Sequence, residues 1–202
     1  MVLMPRWDPR AEERLRAAAL ELYSERGYEN VTVADITERA GLTRRTFFRY
    51  FTDKRDVLFA GSERLAPALA EAVLSADDAL SPFEAMLAGF VRVGDLLAER
   101  VPANAAQRRE IVRSSPELRE RERTKFAAVA DSLADALERR GAPVAEASLL
   151  AQVGVAIFLV AFARWTDDGQ STRFADFVHE VSAELAAHLG AAAPTMPGSD
   201  PR

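Results

Sequence analysis

The strongest constraint on the fold is a pair of helix-start signals, eleven residues apart, with one glycine between them. Thr32 and Asp35 have the spacing of a capping box, in which a hydroxyl and a carboxylate satisfy the free N–H groups of a helix start. Thr43 provides a second cap. Gly41 lies between them and can adopt the left-handed conformation that ends a helix. These signals predict two short helices across a tight turn.

The rest of the chain also has helical patterning, because apolar residues recur at spacings of three and four and no stretch alternates cleanly. Cap, proline and glycine signals predict the helix boundaries. We expect a first helix from Asp8–Pro9 to Gly27, and a fourth from Lys54, capped by Asp53 with Asp56, towards Ala76. Later helices are expected to start at Ser81–Pro82, Ser115–Pro116 (ending at Gly141), Pro143 (ending near Gly169) and Thr172 (ending near His188). The fold class is therefore all-α, with about nine helices.

Composition limits the chemistry. The chain has 202 residues, of which 49% are hydrophobic and 28% charged, as in an ordinary globular protein. It has no cysteine and only two histidines, His179 and His188, with no acidic residue at metal-ligand spacing, so we expect no metal site and no cofactor. No phosphate-binding loop, dinucleotide motif or nucleophile elbow occurs, so we expect no enzyme. No signal peptide is visible, and the apolar run Leu149 to Ala163 is short for a membrane span, which favours a cytoplasmic protein.

Charge is distributed unevenly. The net charge is −5, yet residues 1 to 60 carry 11 basic and 10 acidic side chains, whereas residues 61 to 202 carry 15 and 21. Between Thr43 and Arg55 there are four arginines and one lysine against the single Asp53. Binding to nucleic-acid phosphates needs such a local positive potential.

The predicted third helix separates apolar from basic side chains. Phe47 and Phe51 share one face, while Arg45 and Arg49 project from roughly the opposite face. Such a helix fits a DNA major groove, with Arg44, Arg45 and Thr46 facing bases and Thr43, Thr32 and Lys54 facing phosphates. An ordinary solvated face is the alternative, because short basic helices are common in all-α proteins.

Residues Val31 to Leu58, VTVADITERAGLTRRTFFRYFTDKRDVL, resemble the helix-turn-helix of the TetR family of regulators. The match includes Ala40-Gly41, Thr43, Thr46, Arg49-Tyr50-Phe51 and Lys54, and covers about the first 60 residues. The resemblance implies a homodimer whose recognition helices enter successive major grooves of a palindromic operator. It implies phosphate contacts at Thr32, Thr43, Phe48, Tyr50 and Lys54, and base contacts at Arg44, Arg45 and Thr46.

Two positions depart from the family pattern. Phe48 stands where the family commonly has a tyrosine that bonds a phosphate, so only packing against the DNA backbone remains there. Arg45 stands where the family often has a small residue, which suggests an additional base contact. The DNA-binding set that we predict is Thr32, Thr43, Arg44, Arg45, Thr46, Phe48, Arg49, Tyr50 and Lys54.

The remainder of the chain is expected to dimerise and to bind an effector. We predict a DNA-binding domain over 1–55, a ligand-binding and dimerisation domain over 56–190, and a flexible tail over 191–202. The run LLAQVGVAIFLVAFA, Leu149 to Ala163, is apolar around most of a helix, so it needs cover on more than one side. We interpret the last two helices as a dimer interface; a core within one chain is the alternative.

An effector pocket is predicted among residues on converging helices: Phe83, Met86, Leu87, Phe90, Arg113, Phe126, Gln152, Phe158, Phe162 and Trp165. Gln152 would orient the ligand and Arg113 would pair with an anionic group. Plain core packing, a bond across the dimer for Gln152 and solvation of Arg113 are the alternatives. The run Arg119 to Arg123 predicts an exposed, salt-bridged face.

Together these features predict a cytoplasmic transcriptional repressor that binds a palindromic operator as a homodimer and is released by a small apolar or amphipathic effector. The expected partners are operator DNA, a second copy of the chain and the effector, with no membrane. Two alternatives stay open: an all-α homodimeric interaction protein, and a DNA-binding regulator without effector sensing.

Overall fold

A computed structural model describes residues 9–98 and 104–191 of the chain, with side chains from 10 to 98 and from 104 to 190. Asp8 and the tail from 192 onwards lie outside the described residues. Within these ranges the regular elements are all helical, as the patterning predicts. The α-helices are α1 (Pro9–Arg26), α2 (Val33–Ala40), α3 (Arg44–Tyr50), α4 (Asp56–Phe59), α5 (Leu65–Leu74), α6 (Pro82–Ala98), α7 (Ala105–Ser114), α8 (Pro116–Arg139), α9 (Val144–Asp167) and α10 (Phe174–Ala191).

The two helix starts around the glycine turn form as predicted. The Thr32 hydroxyl accepts a hydrogen bond from the Asp35 N–H at 3.2 Å, and the Asp35 carboxylate accepts one from the Thr32 N–H at 2.8 Å. α2 then ends at Gly41, whose φ of 63° and ψ of 38° are left-handed. The Thr43 hydroxyl caps α3 by accepting from the Thr46 N–H at 3.1 Å. Local hydrogen bonding therefore fixes the position of α3.

The continuous fourth helix that we predict from Lys54 towards Ala76 is wrong. α4 covers only Asp56–Phe59, and the chain is extended at Ala60 and left-handed at Gly61, with φ of 85°. A short 3-10 turn, Ser62–Arg64, leads into α5. Two arginines from other helices bind the carbonyl groups at this end: Arg16 donates to Val57 O at 3.1 Å, and Arg108 to Leu58 O at 2.6 Å. The carbonyl groups at the end of α4 therefore bind side chains that are distant in sequence.

The helix α7 is not among our sequence predictions, yet it joins the two halves of the molecule. Its Ile111 and Val112, with Leu118 of α8, are buried in the same hydrophobic cluster as Phe47 and Phe59. The core beneath the helix-turn-helix therefore includes side chains from the middle of the chain.

A second hydrophobic cluster joins α5, α6, α8, α9 and α10. α9 contributes Ala151, Phe158 and Trp165 to it, among others, while Leu149 and Val160 on the same helix are exposed. By length and composition α9 could span a membrane: an 18-residue window has a mean hydropathy of 2.0, and 39% of that window is buried. α9 thus packs on one side and presents an apolar face on the other.

Candidate functional site

Helix α3 lies with its apolar side fixed in the core and its basic side exposed. Phe47 and Phe51 are buried, with ring centroids 5.4 Å apart. Arg44, Arg45 and Arg49 are exposed. The predicted division into a core face and a cationic face is confirmed.

The basic side chains of this region differ in whether acidic groups neutralise them. Arg39 of α2 forms ion pairs with Glu21 at 3.2 Å and Glu25 at 2.8 Å, which raise its pKa. Arg55 pairs with Asp53 at 2.6 Å and with Glu117 at 2.9 Å. These two guanidinium groups are therefore already occupied.

Arg44 and Arg45 are in a different position. Neither guanidinium group makes a hydrogen bond or an ion pair with any part of the chain that the structure describes. Both lie in the first turn of α3, where free N–H groups and the helix dipole add positive potential. The end of α3 that the sequence assigns to base contacts is thus also the end with unneutralised charge.

Phe48 and the pair Arg49–Tyr50 cover the rest of the exposed side of α3. Phe48 is 58% exposed, and its ring meets the buried Phe47 edge to face at 5.4 Å. Arg49 donates to the Tyr50 hydroxyl at 3.0 Å, and its guanidinium carbon lies 4.9 Å from the centre of the Tyr50 ring. The exposed side of α3 therefore combines a large apolar ring with arginine side chains.

Thr32 has a carboxylate beside it. Its hydroxyl also lies 2.5 Å from the Asp35 carboxylate, to which it donates, and these bonds lower the pKa of Asp35. A phosphate at the start of α2 would therefore meet a negative group, which Thr43 at the start of α3 does not have. The two threonine positions, equivalent in the sequence pattern, differ electrostatically.

Lys54 lies in the turn before α4 rather than on its first helical turn. Its ammonium group donates to Tyr28 O at 2.9 Å and to Val31 O at 3.0 Å, and lies 4.2 Å from the centre of the Tyr28 ring. Lys54 therefore holds the segment before α2 in place.

Most of the predicted effector residues converge in the second cluster. Phe158 is at the centre. The centre of its ring lies 5.6 Å from that of Phe90, 6.5 Å from that of Phe126 and 6.2 Å from that of Phe162. Trp165 contacts Phe162 at 5.8 Å, and Met86 is fully buried beside them. Phe83 and Leu87 pack partly buried against the same cluster. Phe174 of α10, 5.4 Å from Phe158, completes the cluster and is absent from our prediction.

Two of the predicted pocket residues do not join this cluster. Gln152 is exposed on the outer face of α9, on the same side of the helix as Leu149 and Val160. Arg113 is 69% exposed and pairs with Glu110 at 3.5 Å on its own helix. Their assignment to the pocket is corrected, since neither side chain approaches the aromatic rings.

A cavity of about 200 Å³ beside the aromatic rings is lined by Gly94, Asp95, Ala98, Trp165 and residues 170 to 174. A second cavity, of about 330 Å³, has no aromatic residue in its lining of Leu74, Asp78, Leu80, Pro82, Arg139 and Arg140. Ligand pockets commonly measure roughly 300 to 1,000 Å³. A drug-sized effector would therefore need the aromatic side chains to move apart.

No group of three histidine, aspartate or glutamate side chains within the described ranges is arranged to hold a metal ion. Titratable groups instead gather where α7 and α8 meet, including Arg108, Glu122 and Lys125. Glu122 belongs to the run that we expect to be exposed, but it points inwards to Arg108. No sequence pattern marks this group, because Arg108 and Glu122 belong to different helices.

Comparisons with known proteins agree with this geometry. Residues 15–60 match the family described as bacterial regulatory proteins, tetR family, and residues 80–190, more than half of the chain, match the MftR C-terminal domain. The chain is 33% identical over 93 residues to the HTH-type transcriptional regulator TcmR of Streptomyces glaucescens, a match covering 43% of this chain and 41% of TcmR. The curated relatives are thus matched over less than half of their length.

Solved structures share the fold over most of their length. NalD, the secondary repressor of the MexAB-OprM multidrug efflux pump in Pseudomonas aeruginosa, superposes with a TM-score of 0.61 at 17% identity, covering 89% of this chain and 97% of NalD. FadR from Bacillus subtilis, in complex with stearoyl-CoA, gives a TM-score of 0.57 at 20% identity, covering 86% and 96%. With both halves of the sequence matched and a helix-turn-helix that presents free arginines, the chain belongs to the TetR family of bacterial transcription regulators.

Proposed function

We propose that this regulator is a cytoplasmic repressor that binds a palindromic operator as a homodimer and is released by a small amphipathic effector. The observation that carries the proposal is the pair of unneutralised arginines, Arg44 and Arg45, at the exposed start of α3. Arginine can bond guanine through two N–H groups in the major groove, and a helix is the element that fits this groove. In this arrangement Thr43 would bind a phosphate and fix the register of the helix.

A homodimer would cover the outer face of α9. Leu149, Gln152, Ala156 and Val160 lie along one side of this helix and are exposed. Leu149 is 64% exposed and Val160 43%. Contiguous exposed aliphatic side chains are characteristic of an interface, and Gln152 would then bond across the dimer rather than orient a ligand.

Effector release would act through α7. On this helix Arg108 binds Leu58 O of α4, while the adjacent Arg109 donates to Ala163 O of α9 at 3.0 Å and pairs with Asp167. A continuous fourth helix would have joined the two halves as one rigid element, but the helix is interrupted at Gly61. Because α7 contacts both α4 and α9, we infer that it couples the arrangement of the two protomers at α9 to the position of α3.

The nature of the effector is inferred from the aromatic cluster around Phe158 and from the fold. FadR from Bacillus subtilis, a structural relative, is solved with stearoyl-CoA, an amphipathic molecule. An effector shifts the protein to a form that does not fit the operator only if it binds that form more tightly.

A mobility-shift experiment tests the DNA-binding proposal. The probe is DNA from beside the protein's own coding region, chosen for an inverted repeat. Arg44→Ala and Arg45→Ala should each weaken binding by about 1 to 3 kcal/mol, mainly by loss of discrimination between bases. Arg39→Ala removes the same charge from the neighbouring helix, where Glu21 and Glu25 already neutralise it, and should change the affinity much less. Equal losses in all three variants would contradict the assignment of bases to α3.

A further inference from the structure

The place where α4, α7 and α8 meet contains an imbalance of charge. Arg108 of α7 lies 3.6 Å from Glu122 of α8, and both side chains are about three-quarters buried. Lys125 lies one turn along α8 from Glu122. Its ammonium group forms no hydrogen bond or ion pair within the described residues. Its ammonium group lies 4.5 Å from the centre of the Phe126 ring. Lys125 and Arg108 thus share the one carboxylate of Glu122, while Arg121 of α8 and Asp56 of α4 form a separate ion pair at the same junction, 3.8 Å apart.

The surroundings of Lys125 and Arg108 disfavour their charged forms. Burial, with a smaller contribution from the charge of Arg108, lowers the pKa of Lys125 to about 8, although Glu122 acts in the opposite direction. Burial also lowers the pKa of Arg108. A partly buried cation that lies beside a second cation is stabilised by a nearby anion. An anion bound here would supply the missing charge and the missing acceptors.

Apolar surface begins next to the charge. The Phe126 ring lies 6.5 Å from Phe158, and Phe158 stacks on Phe162 at 6.2 Å with an angle of 9° between the ring planes. Aromatic side chains thus lead from the ammonium group of Lys125 into the second hydrophobic cluster. A molecule with an anionic head and an apolar tail would match both features at once.

We propose that Arg108 and Lys125 bind the carboxylate or phosphate group of the effector and that its apolar part packs against Phe126 and Phe158. This inference rests on the proposed function, because it assigns the effector of that function to a chemical class, the anionic amphipaths. It replaces Arg113, which is exposed, as the partner of the anionic group.

The same arginine connects this site to the DNA-binding half. The Arg108 Nε donates to Leu58 O at 2.6 Å, and the guanidinium carbon lies 5.0 Å from the centre of the Phe59 ring. Both partners belong to α4, next to the core that carries α3. An anion that draws Arg108 towards Lys125 weakens its hold on α4, so effector binding and the position of α3 are coupled through one side chain.

Calorimetry of the full-length protein with four probes tests the site: dodecanoate, dodecyl phosphate, dodecanol and inorganic phosphate. We expect dodecanoate or dodecyl phosphate to bind at least about tenfold more tightly than dodecanol, since only the anionic head groups can form a charge-assisted hydrogen bond with Lys125. Lys125→Met, which keeps the apolar stem, should remove this preference, and Lys125→Arg should retain most of it. Arg123→Met, an exposed cation on the same helix, is the matched control and should leave the preference intact.

Equal binding of dodecanoate, dodecyl phosphate and dodecanol, or an equal loss in Lys125→Met and Arg123→Met, would overturn the proposal. Inorganic phosphate binding as tightly as dodecyl phosphate would overturn the apolar half of the site. Circular dichroism of Lys125→Met establishes that a loss of binding is not a loss of fold. The operator shift of the wild-type protein is measured separately: if it fails while the calorimetric preference holds, the proposed function is wrong and the anion site remains.

Discussion

Helices α3 and α9 both present a surface that is unusual for a solvated helix, but with opposite chemistry. α3 has seven residues, and its outward side carries unneutralised arginines beside an exposed phenylalanine. α9 has 24 residues, and its outward side carries exposed leucine and valine. The first surface suits a polyanion and the second suits another apolar surface. A helix can thus be left with an unmatched surface in two ways, by charge without counter-charge or by apolar side chains without cover.

The largest effect is expected from the inward side of α3. Phe47→Ala should lower the free energy of unfolding by about 3 to 5 kcal/mol, because a fully buried ring is replaced by a cavity. The neighbouring Phe48→Ala removes the same ring from an exposed position and should cost within about 0.5 kcal/mol. Urea unfolding followed by circular dichroism measures both. Similar losses would mean that α3 is rotated from the orientation described.

A second prediction concerns the outward side of α9. Leu149→Glu should dissociate the proposed dimer, raising its dissociation constant at least about a hundredfold, because two-fold symmetry would place a buried charge in the interface twice. Leu96→Glu on α6 introduces the same charge at another exposed leucine and should leave the dimer intact. Sedimentation equilibrium distinguishes the two. Dimers that persist in Leu149→Glu would place the interface elsewhere.

The third prediction is a dependence of stability on pH at the junction between the two halves. The pKa of Lys125 is about 8 in the folded chain, whereas a free lysine side chain titrates near 10.4. Between these values the unfolded chain binds more protons, so stability should rise with pH by at most about 1.4 kcal/mol per unit. Arg108 and Glu122 are the charged groups that act on Lys125.

Urea unfolding of wild type and Lys125→Met at pH 7.5, 8.5 and 9.5 measures this contribution. The difference between the two proteins should shift in favour of wild type as the pH rises. A difference that stays constant would mean that Lys125 is solvated.

The smallest effect is expected from Phe48→Tyr. The added hydroxyl would restore a hydrogen bond to phosphate, strengthening operator binding by about 1 kcal/mol without a change in the free energy of unfolding. Titration by fluorescence anisotropy measures the affinity at fixed salt. An unchanged affinity would indicate that Phe48 does not face the DNA backbone.

Much of the DNA-binding half could be predicted, because its determinants are local. The capping box of Thr32 with Asp35, the cap at Thr43 and the left-handed Gly41 involve residues at most three apart or a single backbone conformation. The spacing of Phe47 and Phe51 likewise determines which side of α3 enters the core. Most of the aromatic cluster was predictable for the same reason, since helical periodicity identifies buried positions.

The sequence by itself determined the fold class, the caps of α2 and α3 and the division of α3 into apolar and basic sides. The tertiary structure decided which cations are neutralised: Arg39 and Arg55 are paired, while Arg44 and Arg45 are not. It also decided the break after α4, where Arg108 binds a carbonyl fifty residues away, and the exposure of Gln152. The physical reason is range: a helix cap is closed within one turn of chain, whereas the partner of a charge or of a free carbonyl is set by which helices pack together.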